Sequence, residues 1–514
     1  MKKQFTEKSF TFFTINFIVG IGFITTISTV VKMSYWGYLV LVAAAFLVFG
    51  ITLVFSRLSN TYNDHYGGSY AFARHIDADV ANGHRKKSKN KFINNLIFFV
   101  GWNQFIQTPL LSAIAPLLLT EAILKLIPTD INSYETIKWV VRVSSIVIFL
   151  LIIALSTIGL KTNKKIIYLA SAIKWVLVVT AFAILIFALS YHAQLPEFRM
   201  KNTKTGANQT ISPYLIITNT LLFMYAFGGI EDAASMVKDV KFTNFKKILF
   251  VAFGFIFTFY LIFFSVYLFL PENINGKSLT EGFYSIYNYG LGSFGLAIFI
   301  IGFMANDLGY KLFQSVSTAR KVVPLAQDDY LFESLKYRNK HGEFKNAIVF
   351  STIIVIISML TLWLIPTILF DKEEEKLGDF FNSTIIASSI ALLIEDLITF
   401  SNAFILSKKR LVPKIPIWEK TIYAIVMTFI SFIVLSFFVP WILGSNWEST
   451  NTYSILIYFT FVLIGFALKL MHEHQDKLIK WFRLTKFVER RREKYKNYHE
   501  KPDDFDASDK VPNN

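Results

Sequence analysis

Two long apolar stretches of this chain are each interrupted near the middle by glycine. One reads Ile18-Val19-Gly20-Ile21-Gly22-Phe23, the other Tyr225-Ala226-Phe227-Gly228-Gly229-Ile230-Glu231-Asp232. A backbone amide or carbonyl in hydrocarbon has no water to bond. An unwound stretch at that depth therefore persists only where protein buries it or where it lines a cavity. Taken alone, each glycine motif reads as close helix packing through small residues. A matched pair that opens two halves of one chain points instead to a solute site between two repeats.

The spans themselves follow from composition: 54% hydrophobic, 17% charged, over 514 residues, with a mean hydropathy of +0.46. Apolar runs near the bilayer length of about 20 residues lie at 11–31, 36–57, 93–125, 139–159, 166–190, 212–236, 247–270, 292–319, 346–367, 380–407, 419–444 and 453–471. The expectation is an all-α membrane protein with twelve transmembrane helices. The first run is too long for a signal peptide, is split by Gly20 and Gly22, and lacks a small-residue cleavage site.

Lysine and arginine collect in the even-to-odd connections, for example Arg85-Lys86-Lys87, Lys161 with Lys164 and Lys165, and Lys408-Lys409-Arg410. By the positive-inside rule both termini are cytoplasmic and the protein is a multi-pass component of the cell membrane. The same distribution accounts for a formal net charge of +16 without nucleic acid, because no aromatic-rich basic face gathers it. Residues 472–514 open with an amphipathic stretch around Leu478, Trp481 and Phe482, followed by Arg490-Arg491-Arg492. This tail reads as a helix lying on anionic lipids of the inner leaflet, with a disordered acidic end. There are no cysteines, no metal-ligand spacing of histidines and no Walker glycine loop, so neither metal nor cofactor nor ATP-driven chemistry is expected.

Short motifs along the chain carry a resemblance. Gly20-Ile21-Gly22-Phe23, Gly67-Gly68-Ser69-Tyr70, Gly101-Trp102-Asn103, Phe227-Gly228-Gly229-Ile230-Glu231 and Ser317-Thr318-Ala319-Arg320 occur in an order and spacing that resemble the amino acid-polyamine-organocation (APC) superfamily of transporters, from about residue 11 to about 410. The resemblance implies the inverted five-plus-five repeat of the LeuT-like fold. Residues 1–10 would be the cytoplasmic N-terminus, 11–190 the first repeat, 212–407 the second, 419–471 two appended helices, and 472–514 the tail. It also implies an α-amino acid held at the two breaks. Gly20, Ile21 and Gly22 would face its carboxylate, and carbonyls of Val19, Tyr225, Ala226, Phe227 and Gly228 its ammonium, with Tyr225 or Phe227 as an aromatic gate. Half-helix termini offer those opposite poles.

Ionisable side chains inside spans are costly and point to function or to internal pairing. Glu231 is expected to brace the second break or carry a proton, and Asp232 to face the cytoplasmic vestibule. Asp307 and Lys311 lie four apart in the eighth span, where an ion pair or a charged-substrate pocket would suit them. Asn103, Gln104 and Gln107 in the third span, with Glu395 and Asp396 in the tenth, are either polar lining or interhelical hydrogen bonds. Lys174 stands alone in the fifth span, with no carboxylate three or four residues away. The family resemblance places its ammonium beside the first break, where sodium-coupled relatives hold a cation, and makes it the coupling residue.

The function expected is secondary active transport of amino acids by alternating access, sodium-independent and proton-coupled. A polyamine or organocation carrier, or an amino acid exchanger, is the alternative within the fold. A membrane-embedded transferase is disfavoured, because no nucleophile-base constellation converges on one membrane face.

Overall fold

In the computed structural model the described residues are 5–474, apart from 77–79, 82–83, 86–89, 125, 129, 159, 193–210, 269–280, 340 and 371–373. The amphipathic and acidic parts of the tail, and most of the loop carrying Arg85 to Lys91, lie outside them.

Helices α1 (Glu7–Ile18) and α2 (Ile21–Val31) are joined through Val19 and Gly20 and bend by 48°. Helix α3 (Trp36–Thr61) follows, then the short α4 (Ser69–Arg74). The third apolar run is two helices, α5 (Lys91–Ala113) and α6 (Ala115–Leu124). Next come α7 (Tyr134–Ser156) and α8 (Leu160–His192). The second glycine break separates α9 (Pro213–Phe227) from α10 (Ile230–Ser235). Helix α11 (Phe245–Leu268) precedes α12 (Glu281–Gln327), which is kinked at Gly292, where φ is 58°.

Helix α13 (Lys345–Met359) passes through a π-helical turn at Leu360–Leu364 into α14 (Ile365–Leu369). Pro366 has no amide hydrogen to continue the ladder, which accounts for a wider turn at this point. Helices α15 (Glu374–Lys408), α16 (Ile417–Phe438) and α17 (Ser449–Glu473) complete the order.

Among the described residues ten helical segments, with α9–α10 and α13–α14 each counted as one, are long and apolar enough to cross a bilayer, and the bent pair α1–α2 makes an eleventh. Helix α5 misses that class because Asn94, Asn95, Asn103, Gln104 and Gln107 dilute its apolar run. Leu151, Val176, Val179, Phe187, Phe294 and Leu463 stand largely exposed on the outer surface, as lipid-facing side chains do. The chain is an all-α membrane protein.

The two broken helices meet at the centre. Helix α2 packs along α9, and α1 runs beside α11. Helix α12 lies on α8, while α15 lies on α5 and α17. At one end Phe5–Thr6 pairs in parallel with Val240–Lys241, tying the start of the chain to the segment that follows the second break.

Candidate functional site

The first break leaves donors exposed. Gly20 caps α2 with φ −147° and ψ −142° and no side-chain cap, and the first bond of that helix runs from Ile24 N–H to the Gly20 carbonyl, 3.2 Å. The amides of Gly20, Ile21, Gly22 and Phe23 have no acceptor among the described residues, as the first turn of a helix requires. On the other side of the break the Lys174 ammonium, from α8, donates to the carbonyls of Asn16 (2.6 Å) and Val19 (2.7 Å). Lys174 is only 4% exposed. Trp175 fixes the same turn by donating from Nε1 to Asn16 Oδ1, 2.7 Å. The carbonyl of Val19 is thus engaged by an internal cation.

The second break is built differently. Gly229 has φ 128°, a region that glycine enters without strain. Its amide donates to Glu231 Oε1, 2.8 Å, so the positive end of α10 already holds an internal carboxylate. Among the described residues no hydrogen bond ends on the carbonyls of Phe227 or Gly228. Tyr260 of α11 joins the two breaks, its hydroxyl lying 2.6 Å from the Ala226 carbonyl and 3.3 Å from that of Ile18. Gly22 lies directly under the Tyr225 carbonyl, where any Cβ would collide. The breaks are therefore in backbone contact.

Between them is an open crevice of about 390 Å³, lined by Phe17, Ile18, Gly22, Gln107, Thr108, Leu111, Tyr225, Gly228, Glu231, Asp232, Tyr310 and Gln314. Of the residues singled out from sequence, Gly22, Gln107, Tyr225, Gly228, Glu231 and Asp232 line it. Gly20, Ile21 and Ala226 belong to the breaks but are not among the lining residues. Phe227 packs its ring against Tyr260, centroids 5.1 Å apart, while Tyr225 faces the crevice.

Other sequence-selected residues lie elsewhere. Asn103 donates to the Ala391 carbonyl (2.7 Å) and accepts from Tyr458 (2.9 Å), bridging α5, α15 and α17. Asp307 and Lys311 form a buried ion pair, 2.6 Å. Lys311 lines a separate cavity of about 270 Å³ that shares Thr108 and Gln314 with the crevice.

Three aromatic residues escaped the sequence reading: Tyr260, Tyr310 and Phe17. Phe17 and Tyr310 stack at 4.8 Å and form the wall shared by the crevice and a chamber of about 260 Å³ containing Lys174. An aromatic ring in an apolar span gives no signal of its own; only Phe17's place three residues before the break set it apart.

One wall of the crevice is a buried polar layer. Asp232 pairs with Lys321 at 2.9 Å and accepts from Ser317 Oγ, also 2.9 Å. Glu395 accepts from Gln107 Nε2 (2.6 Å) and from Ser69 Oγ.

Comparison with known sequences decides the family. The family model described as "Amino acid permease" matches residues 5–466, nearly the whole described chain. The chain belongs to the amino acid permease family of the APC superfamily. This permease is also similar to MG226 of Mycoplasma genitalium, an uncharacterized protein, with 32% identity over 482 residues, 90% of this chain and 94% of the relative. MG225 of the same organism is 30% identical over 492 residues, covering 93% and 96%. An MG226 homolog of Mycoplasma pneumoniae is 30% identical over 503 residues, covering 93% and 97%.

The motifs that carried the resemblance surround the crevice in this permease. Gly67 and Gly68 both have positive φ, and a side chain on Gly68 would strike Gln104. Ser69 reaches Glu395, and Tyr70 donates to Asp328 at 2.6 Å. Arg320, 1% exposed, is bound by Asp239 and by Glu343 at 3.3 Å. Beside it in the loop, burial and the neighbouring Asp239 push the Tyr66 hydroxyl well above the ordinary tyrosine range, so Tyr66 serves as a fixed donor to Asp239, 2.7 Å.

Proposed function

We propose that this permease moves α-amino acids across the cell membrane by alternating access, without sodium and coupled to protons. The observation that carries the reading is the pair of unused poles at the breaks. Free amides at Gly20–Phe23 suit a carboxylate, and the unoccupied carbonyls of Phe227 and Gly228 suit an ammonium. Glu231 already fills the amides of the second break, so the substrate carboxylate belongs at the first.

In this reading α1 through α8 and α9 through α15 are inverted repeats of five spans each, with α5–α6 counted as one span and α12 supplying the eighth. Helices α16 and α17 are appended, and both termini are cytoplasmic. The Lys174 ammonium supplies at the first break the positive charge that a bound sodium ion would otherwise provide, and it is the coupling group. Binding requires no bond to be made or broken in the substrate, so no enzymatic step enters the cycle.

The test is counterflow in liposomes with labelled amino acids. Saturable uptake is expected, with competition by free α-amino acids but not by their methyl esters or N-acetyl derivatives, each of which removes one pole. Competition by esters and acetyl derivatives equal to that of the free acid would overturn the two-pole site. Counterflow of polyamines alone would make the protein an organocation carrier.

A further inference from the structure

The polar layer at the crevice holds an imbalance of charge. Glu231, Asp232, Glu395 and Asp396 are all at least nine-tenths buried, and the cation among them is Lys321, which pairs with Asp232 and reaches Glu231 and Glu395 electrostatically. Ionising all four carboxylates would leave three negative charges uncompensated in a low-dielectric layer. A buried carboxylate without a cation or donors takes up a proton in preference to bearing that cost.

The hydrogen bonds identify which one does so. Asp232 has Lys321 and Ser317, Glu395 has Ser69 and Gln107, and Glu231 has the Gly229 amide. Asp396 has none: it is 0% exposed, and neither carboxylate oxygen has a partner. The charged groups it faces are Glu395 and Glu231. Charges on other helices packed against α15 are engaged elsewhere, Arg57 with Glu419, Arg74 with Asp328, and Lys469 with Asn95. A second buried group in the layer is also unpartnered, the donor Nε2 of Gln104. It lies beside Gly68, near the Glu231 carbonyl. An unpartnered acid buried in a layer short of cations fits a site that holds a proton.

We propose that Asp396 is a second proton-binding site of the transport cycle, protonated in this conformation. This rests on the carrier reading above.

The experiment is infrared difference spectroscopy of the purified full-length protein across a pH titration. The wild type should show the carbonyl stretch of a protonated carboxylic acid, and Asp396→Asn should lose it while remaining folded, because an amide has the shape of the neutral acid. Asp396→Glu should restore the band at a shifted frequency, which guards against simple misfolding of the first variant. In liposomes, the ratio of pH-gradient-driven accumulation to counterflow should fall severalfold in Asp396→Asn. An undiminished carboxylic acid band in Asp396→Asn would overturn the proposal, as would an unchanged ratio. A sodium-induced thermal shift that Asp396→Asn abolishes would make the cluster a metal-cation site and overturn it as well. If the wild type fails to carry any amino acid, the carrier reading falls, whereas the band still reports on Asp396 itself.

Discussion

The ammonium of Lys174 holds the carbonyl of Val19 at 2.7 Å, so the fifth apolar span is fastened to the residue that caps the end of α1. A second bond to Asn16, 2.6 Å, makes the attachment bidentate. Lys174→Met keeps the length and apolar stem but removes both charge-assisted bonds, each worth about 1.5–3 kcal/mol. The purified variant should melt well below wild type in a detergent thermal-shift assay. An unchanged melting temperature would mean that the ammonium does not brace the break.

The two break glycines should respond differently to the smallest substitution. A methyl on Gly22 collides with the Tyr225 carbonyl, whereas one on Gly228 meets only that carbonyl, at an ordinary 3.5 Å. Gly228 also has φ −58° and ψ 137°, which any L-residue adopts. Gly22→Ala should therefore cost about 1–3 kcal/mol, as overpacking does, and Gly228→Ala should leave the melting temperature near wild type. Equal melting temperatures for the two variants would contradict the close contact of the breaks.

Tyr260→Phe isolates the hydroxyl that spans both breaks. The ring keeps its stack on Phe23, centroids 4.5 Å apart, while the Ala226 and Ile18 carbonyls lose their donor. A loss of about 0.5–1.5 kcal/mol is expected from one net hydrogen bond. Substrate affinity in a binding assay should also weaken, because the distance between the two poles is no longer fixed. Wild-type affinity with lowered stability would restrict Tyr260 to a structural role.

The features legible in the sequence were those that break a rule of the bilayer. Glycines inside apolar spans located both breaks, and a solitary charge located Lys174, because each is costly in hydrocarbon without a reason. Interhelical partners were not legible. Gln107 and Glu395 lie far apart in sequence, yet Gln107 Nε2 donates to Glu395 Oε2 at 2.6 Å, and the facing of Asp232 toward Lys321 depends on how α10 and α12 cross. Asn103 was open between polar lining and interhelical bonding for the same reason, and its bonds to Ala391 and Tyr458 appear only in three dimensions.

Interruptions without a charge were also hidden. The division of the third run at Ile114 and the π turn before Pro366 leave the hydropathy pattern intact. The eighth run was placed from 292, where the kink at Gly292 falls, but the helix continues back to Glu281. Aromatic residues such as Tyr310 and Phe17 pass for ordinary core until their neighbours are known.

The most direct measurement is uptake of a labelled amino acid into liposomes in sodium-free buffer, with and without an inward proton gradient, for the wild type and Lys174→Ala. Accumulation without sodium is expected in the wild type, rising with the gradient, and Lys174→Ala should lose that rise. An absolute sodium requirement in the wild type, or a gradient response in Lys174→Ala equal to that of the wild type, would contradict the assignment of the first break as an ammonium-filled, proton-coupled site.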